Sequence, residues 1–200
     1  MSYYWALVTL IDEQIGRIMQ ALTERGLWQN TLVLFVTDHG EMLGDFGRGG
    51  KANFYEAVIR SPFIVTVPGG HAPPRQVDDL VETMDIAPTI LDYAGLPVPP
   101  EMQAKSLRPL LEGKGRGKEA ILCEYTSNDR QVSGKCVRTR RYKYCFWGQG
   151  RPEQFYDLQE DAHERRDAIS DPRYRVEIDA HRRLMLDILS DAGARHVPRP

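Results

Sequence analysis

Apolar residues recur at spacings of three and four through the first turns of this chain: Tyr4, Val8, Ile11, Ile15, Ile18 and Leu22. Asp12, Glu13, Arg17 and Glu24 fall largely outside that stripe. The period predicts an amphipathic helix over residues 3–25, and Gly26 is placed to end it. The pattern then changes. After Gln29-Asn30 comes Thr31-Leu-Val-Leu-Phe-Val36, a short unbroken apolar run. Continuity without alternation predicts a strand buried on both faces, as in a parallel sheet covered by helices. Residues 38–51 are polar and glycine-rich and read as loop, 52–60 as a short helix, and Pro62-Phe-Ile-Val-Thr-Val67 as a second buried strand stopped by Pro68-Gly69-Gly70.

A helix is predicted over about 85–93, with Thr83 or Asp85 as N-cap and Pro88 in its first turn. Helix, strand, helix, strand, helix is α/β order. Beyond Leu96 the composition shifts. Pro97, Pro99 and Pro100, then Gly113, Gly115 and Gly117 among Lys and Arg, mark a connection. The predicted organisation is therefore two units, 1–112 and 113–200. The second carries candidate antiparallel strands at 119–125, 132–139, 141–147 and 154–158. A last helix over about 173–191 turns Tyr174, Ile178, Leu184, Ile188 and Leu189 inward.

Charge narrows the function classes. With 26 Lys and Arg against 28 Asp and Glu, the net charge of −2 does not draw the chain to nucleic acid or an anionic membrane. Arg138, Arg140, Arg141 and Lys143 do alternate with Tyr142, Tyr144, Phe146 and Trp147, a pattern that suits single-stranded nucleic acid. A half-buried strand with polar and apolar faces is the favoured account, and no nucleic-acid partner is assigned. No run approaches the ~20 apolar residues that span a bilayer, and no basic stretch followed by an apolar segment opens the chain; the compartment stays open. Cys123, Cys136 and Cys145 are odd in number and lack C-x-x-C spacing, against a disulfide framework or zinc ribbon. His71, His163, His181 and His196 have no metal-like partners in sequence and receive no role.

The chemistry gathers at Thr37-Asp38-His39-Gly40, where the first buried strand ends. Ligands of open α/β sheets bind at the carboxyl ends of strands. Asp38 and His39 point to opposite faces of an ideal strand, so they share an ion only if the backbone departs from strand geometry, which Gly40 permits. Lys51 closes the glycine-rich loop. Gly50-Lys51 is not a phosphate loop, because Asp45 and Ala52 stand where G-x-x-x-x-G-K-[ST] needs Gly and Ser or Thr. Lys51 instead suits an anionic oxygen as a point charge.

Taken together, Thr37-Asp-His-Gly-Glu-Met-Leu-Gly-Asp45, Gly50-Lys51, Phe54-Tyr-Glu56 and Arg60-Ser-Pro62 resemble the second half of the sulfatase signature. Leu10-Ile-Asp12, Ile15-Gly-Arg17, Asp85-Ile-Ala-Pro-Thr89, Ser106-Leu-x-Pro-Leu110, Val137-Arg-Thr139, Arg141-Tyr-Lys-Tyr144 and Phe155-Tyr-Asp-Leu158 also resemble that family, over nearly the whole chain. The resemblance implies an α/β fold: part of an alkaline-phosphatase-like sandwich, with a mixed sheet flanked by helices, followed by a small antiparallel sheet and a C-terminal helix. It implies Asp38 and His39 as ligands of a divalent metal, Ca2+ in most sulfatases, and Lys51 as the catalytic group that binds the ester's anion. A phosphate or phosphonate esterase of the same superfamily, with Mn2+ or Zn2+, is the alternative.

The implied substrate is a small-molecule or glycan sulfate ester. The family's nucleophile, a Cys or Ser converted in sulfatases to formylglycine, follows an Asp-Asp pair, and neither stands in its place here. Cys136-Val-Arg138-Thr-Arg140 has Arg where Pro or Ala belongs and reads as a buried strand cysteine. Asp78-Asp79 falls after the Asp-His strand and reads as flanking or capping a helix. The expectation is a C-terminal portion of a sulfatase-like hydrolase, inactive alone, exposing apolar surface and needing a complementary N-terminal segment. Phe46, where the family often has His, and Arg48 are expected to reshape the substrate pocket.

Overall fold

The structure, a computed structural model, describes residues 2–69 and 75–195; His71 and His196 lie outside them. Helix α1 (Ser2–Glu24) follows the predicted period. It ends where Gly26 takes φ +66°, with the amides of Gly26 and Leu27 donating to the carbonyls of Thr23 and Leu22 at 3.0 and 2.9 Å. Its stripe does not face a core. Tyr4, Val8, Ile11 and Ile18 are all exposed, Ile18 at 63%, and no residue of α1 is buried. Periodicity reports that a face is apolar, not that the described residues supply its partner.

Strands β1 (Val33–Val36) and β2 (Phe63–Thr66) pair antiparallel, from Val33 opposite Thr66 to Val36 opposite Phe63. This corrects the expectation of parallel strands covered on both faces: Phe35 is 40% and Ile64 60% exposed. An unbroken apolar run carries no information on strand direction. Between the two strands lies α2 (Glu56–Ile59), a single turn.

Helix α3 (Ile86–Tyr93) follows a short 3-10 turn over Thr83–Asp85. Glu82 caps the 3-10 turn, and Asp85 is the N-cap of α3 itself, one of the two positions predicted. Asp85, fully buried, reaches back to accept from the Glu82 amide at 3.0 Å, from the Lys105 amide at 3.0 Å and from Lys118 Nζ at 2.8 Å. Lys118 also pairs with Glu82. These bonds, with the Leu80–Lys118 bridge, tie α3 to the start of the next sheet. A further one-turn helix not foreseen from sequence, α4 (Arg108–Leu111), packs beside α3.

The four later strands form an antiparallel meander in chain order: β3 (Ala120–Thr126), β4 (Ser133–Thr139), β5 (Tyr142–Trp147) and β6 (Gln154–Asp157). Alternation sorts their side chains. Val137, Tyr144 and Phe155 pack with Tyr174, Ile178 and Met185, so one face is covered by α5 (Arg175–Arg195). Leu184, Ile188 and Leu189 pack partly buried against it, as their spacing predicts. His181 belongs to this core: its Nδ1 donates to the Glu177 carbonyl at 2.7 Å.

The opposite face carries Cys136 and Cys145, directly paired across β4 and β5, under Phe54 and Trp147. Lys143 points the same way and has no exposed surface. Its ammonium has three acceptors: Glu164 at 2.6 Å, the Phe54 carbonyl at 2.8 Å and Glu56 at 2.8 Å. That number matches its three N–H donors. Glu164 also accepts the Glu56 amide at 2.6 Å, and Arg138 pairs with Glu56 at 3.2 Å. The cationic and aromatic run of β4 and β5 is thus occupied internally, with Arg141 held by Asp157 at 2.7 Å.

Two carboxylates facing one lysine shift in opposite directions. Burial pushes Glu56 up, but Lys143 and Arg138 outweigh it and hold it below the ordinary carboxylate range. Burial dominates at Glu164, which has only Lys143 as a cation, and its value rises. Glu164 also sits at φ +54°, a conformation that costs a non-glycine residue about 1–3 kcal/mol.

Two outcomes are expected. Phe155→Ala removes a fully buried ring and should cost about 3–5 kcal/mol in urea unfolding. The depressed Glu56 value stabilises the fold above its unfolded-state value and is lost as pH falls through the folded one. Glu56→Gln should therefore lower the unfolding free energy at pH 7, read by urea titration, by on the order of 1–3 kcal/mol, with the gap to the unsubstituted chain closing toward pH 3. A gap that widens on acidification would contradict the pairing.

Candidate active site

Strand β1 ends at Val36, and the chain turns at once. The Asp38 carboxylate accepts the His39 amide at 3.0 Å, and the Thr37 hydroxyl sits 3.2 Å from it. These bonds fold the dipeptide out of strand geometry, so both side chains reach one side. The His39 amide is also the main reason Asp38 is held below the ordinary carboxylate range. Gly40 makes the turn fit against α2. Its amide donates to the Val58 carbonyl at 2.7 Å, and a Cβ at Gly40 would lie 2.0 Å from the Ala57 carbonyl oxygen.

His39 Nδ1 lies 2.8 Å from the Gly40 carbonyl oxygen. A carbonyl only accepts, so Nδ1 carries the proton and Nε2 of the neutral ring presents a lone pair. Asp38 Oδ2 lies 3.3 Å from that Nε2. Two acceptors face each other with no proton between them, an arrangement that calls for a cation. Lys51 reaches the nitrogen of this pair, with Nζ 2.5 Å from His39 Nε2.

The loop that returns Lys51 to the turn is folded around Met42, which is fully buried, with the Met42 amide on the Gly50 carbonyl at 3.1 Å. The Glu41 carboxylate accepts the Gly50 amide. Leu43 and Phe46 take positive φ there, +49° and +54°. Phe46 stacks on Tyr55 at 4.6 Å.

Asp38, His39 and Lys51 open into a groove of about 1260 Å³ between α2 and the Cys123-bearing face of β3. Arg60, Arg138 and Arg140 line it on the cationic side, and Asp78, Asp79 and Glu82 on the acidic side. Sequence reasoning missed Asp78 and Asp79 as groove residues. They do not cap α3: Asp78 takes a bond from Gln76, and Asp79 pairs with Arg140 at 3.3 Å. Phe46 and Arg48 do not line this groove. A second cavity of about 650 Å³, among Leu34, Ile90, Tyr93 and Arg108, contains none of the three predicted site residues.

The donors at Asp38 and His39 fit a divalent cation in kind and spacing. An oxygen and a nitrogen 3.3 Å apart are compatible with a shared ion whose oxygen ligands stand at about 2.3–2.6 Å. They do not complete such a site, since among the described residues no group of three or more His, Cys, Asp or Glu is placed to hold a metal. Cys136 is no substitute nucleophile, because burial pushes its thiol well above the ordinary value. Among the described residues, no helix is long and apolar enough to cross a membrane.

Known proteins share this arrangement of elements. The arylsulfatase of Clostridium perfringens (strain 13 / Type A) is 33% identical over 187 residues, covering 92% of this chain and 38% of that protein. A solved 2-O GAG sulfatase superposes with a TM-score of 0.85 at 30% identity, over 92% of this chain and 41% of its own. The phosphonate monoester hydrolase of Silicibacter pomeroyi gives 0.83 at 27% identity, over 91% and 39%. The chain thus spans about two fifths of the length of the relatives it matches. Residues 44–189 match the family described as N-sulphoglucosamine sulphohydrolase, C-terminal. The chain belongs to the sulfatase family, within the alkaline-phosphatase-like superfamily.

Proposed function

We propose that this chain supplies the C-terminal share of an active site that hydrolyses sulfuric esters. The carrying observation is the pair Asp38 Oδ2 and His39 Nε2, 3.3 Å apart at a strand end, with the Lys51 ammonium beside the His39 nitrogen. In this reading Asp38 and His39 are two ligands of a divalent metal, calcium for a sulfatase. The metal, when bound, supplies positive charge to the ester's oxygens. The Nδ1 bond to the Gly40 carbonyl keeps the His39 lone pair aimed at that position. Lys51 binds the sulfate group and steadies the leaving oxygen as its charge grows. Residues 1–112 are assigned to the family's α/β core and 113–200 to its small antiparallel subdomain.

Two donors hold a hard cation weakly where calcium takes six to eight oxygens. We infer that this chain alone turns over nothing, and that a complementary N-terminal segment supplies the formylglycine nucleophile and the remaining ligands. The share of its relatives that the chain spans and the uncovered apolar face of α1 support this. The likeness to a 2-O GAG sulfatase favours a glycan sulfate ester over a small one. The phosphonate monoester hydrolase likeness favours a second reading, a phosphate or phosphonate ester with Mn2+ or Zn2+.

The test is replacement by alanine of the residues aligned with Asp38 and Lys51 in the Clostridium perfringens arylsulfatase, assayed on an aryl sulfate and on an aryl phosphonate. Each variant should lose about a hundredfold or more in kcat/KM on the sulfate. Near-normal turnover in both sinks the site assignment. Faster turnover of the phosphonate by the unsubstituted enzyme moves the reading to phosphoryl esters.

A further inference from the structure

We infer that Lys143 is a positioning residue for both halves of the candidate site, acting through α2. The inference rests on the assignment of Asp38, His39 and Lys51 above. Both halves are referenced to this one short helix. At its C-terminal side the Val58 carbonyl accepts the Gly40 amide at 2.7 Å, beside His39. At its N-terminal side Lys51 leads through a tight bend into Phe54, with the Asn53 amide on the Lys51 carbonyl at 2.9 Å and the Asn53 side chain accepting the Tyr55 amide at 3.0 Å.

A single turn of helix does not fix its own position. α2 is fixed from beneath. Lys143 holds the Phe54 carbonyl and the Glu56 carboxylate, and Glu164 takes the Glu56 amide. The partners lie 89 and 108 residues apart in sequence, so the site is set by the antiparallel sheet rather than by its own loop. Stability alone does not call for such a cluster, because apolar groups in place of a buried ion pair are often neutral or stabilising. An apolar plug has no means to hold a carbonyl, a carboxylate and an amide along three fixed directions. The left-handed backbone at Glu164 points the same way: strain is retained where it aims a carboxylate.

The experiment is residue-resolved amide exchange by NMR on the 200-residue chain and its variants. Lys143→Met should speed exchange at Gly40 and Glu56 by about tenfold or more, with Val137 and Ile178 in the sheet–α5 core unchanged. Lys143→Arg, which keeps charge and donors, should restore most of the Gly40 protection. Glu153→Gln, which breaks the Glu153 pair with Arg182 elsewhere in the subdomain, should leave Gly40 as it was. Unchanged exchange at Gly40 in Lys143→Met overturns the inference, and so does a uniform rise at Gly40, Val137 and Ile178, which marks general support of the fold. If Lys143→Met does not fold, Lys143→Met/Glu164→Gln, which removes one charge of each sign, is read by the same criteria. The alanine test in the Clostridium perfringens arylsulfatase reads the site assignment separately: near-normal turnover there, with Gly40 loosened in Lys143→Met, removes the site assignment and keeps the mechanical link.

Discussion

A lysine with no exposed surface sits at the centre of this structure, and its solvation has been replaced bond for bond by protein. Water would give the Lys143 ammonium three acceptors; Glu56, Glu164 and the Phe54 carbonyl give it the same number. Burial alone works to discharge it, and the two facing carboxylates outweigh that tendency, so its value rises above the ordinary one. The exchange is costly to assemble and strongly directional once made. It joins the sheet of β3–β6 to α2, and α2 carries the bends on which Gly40 and Lys51 depend. A second, partly buried cluster, Asp85 and Glu82 around Lys118, makes a similar tie at α3. The groove lies between these two ties.

At the site the ordering is reversed: the groups are exposed and the geometry is local. Asp38, His39 and Thr37 arrange one another through bonds between near neighbours, and Gly40 lets the turn approach α2 more closely than any side chain would allow. The product is a pair of lone pairs aimed at one point. Such a pair is an electrostatic trap, empty of protons on its own account and complementary to a cation. The Lys51 ammonium lies beside the His39 member of that pair.

Much of this was legible in the sequence. The 3.6-residue period gave α1 and α5, unbroken apolar runs gave β1 and β2, and the spaced motifs singled out Asp38, His39 and Lys51 before any geometry was known. What escaped is what depends on register. Lys143 stands in a cationic and aromatic run that reads as solvated charge; only the pairing of β4 with β5 turns it under Phe54 and Glu56. The direction of β1 against β2 escaped because hydrophobic continuity measures burial alone. The 3-10 turn before α3 escaped because Glu82, which opens it, is not among the common capping residue types. The stripe on α1 was legible as apolar and its cover was not, since a sequence pattern names a face and not its occupant.

The cluster around Lys143 balances Lys143 and Arg138 against Glu56 and Glu164. Loss of any one member strands an uncompensated buried charge, whereas joint loss of a cation and an anion leaves neutrality intact. Single steps at these four positions are therefore uphill, and paired steps cross a valley. Drift among relatives should leave the quartet unchanged or change it in pairs, so that the history of one position is written in the other three.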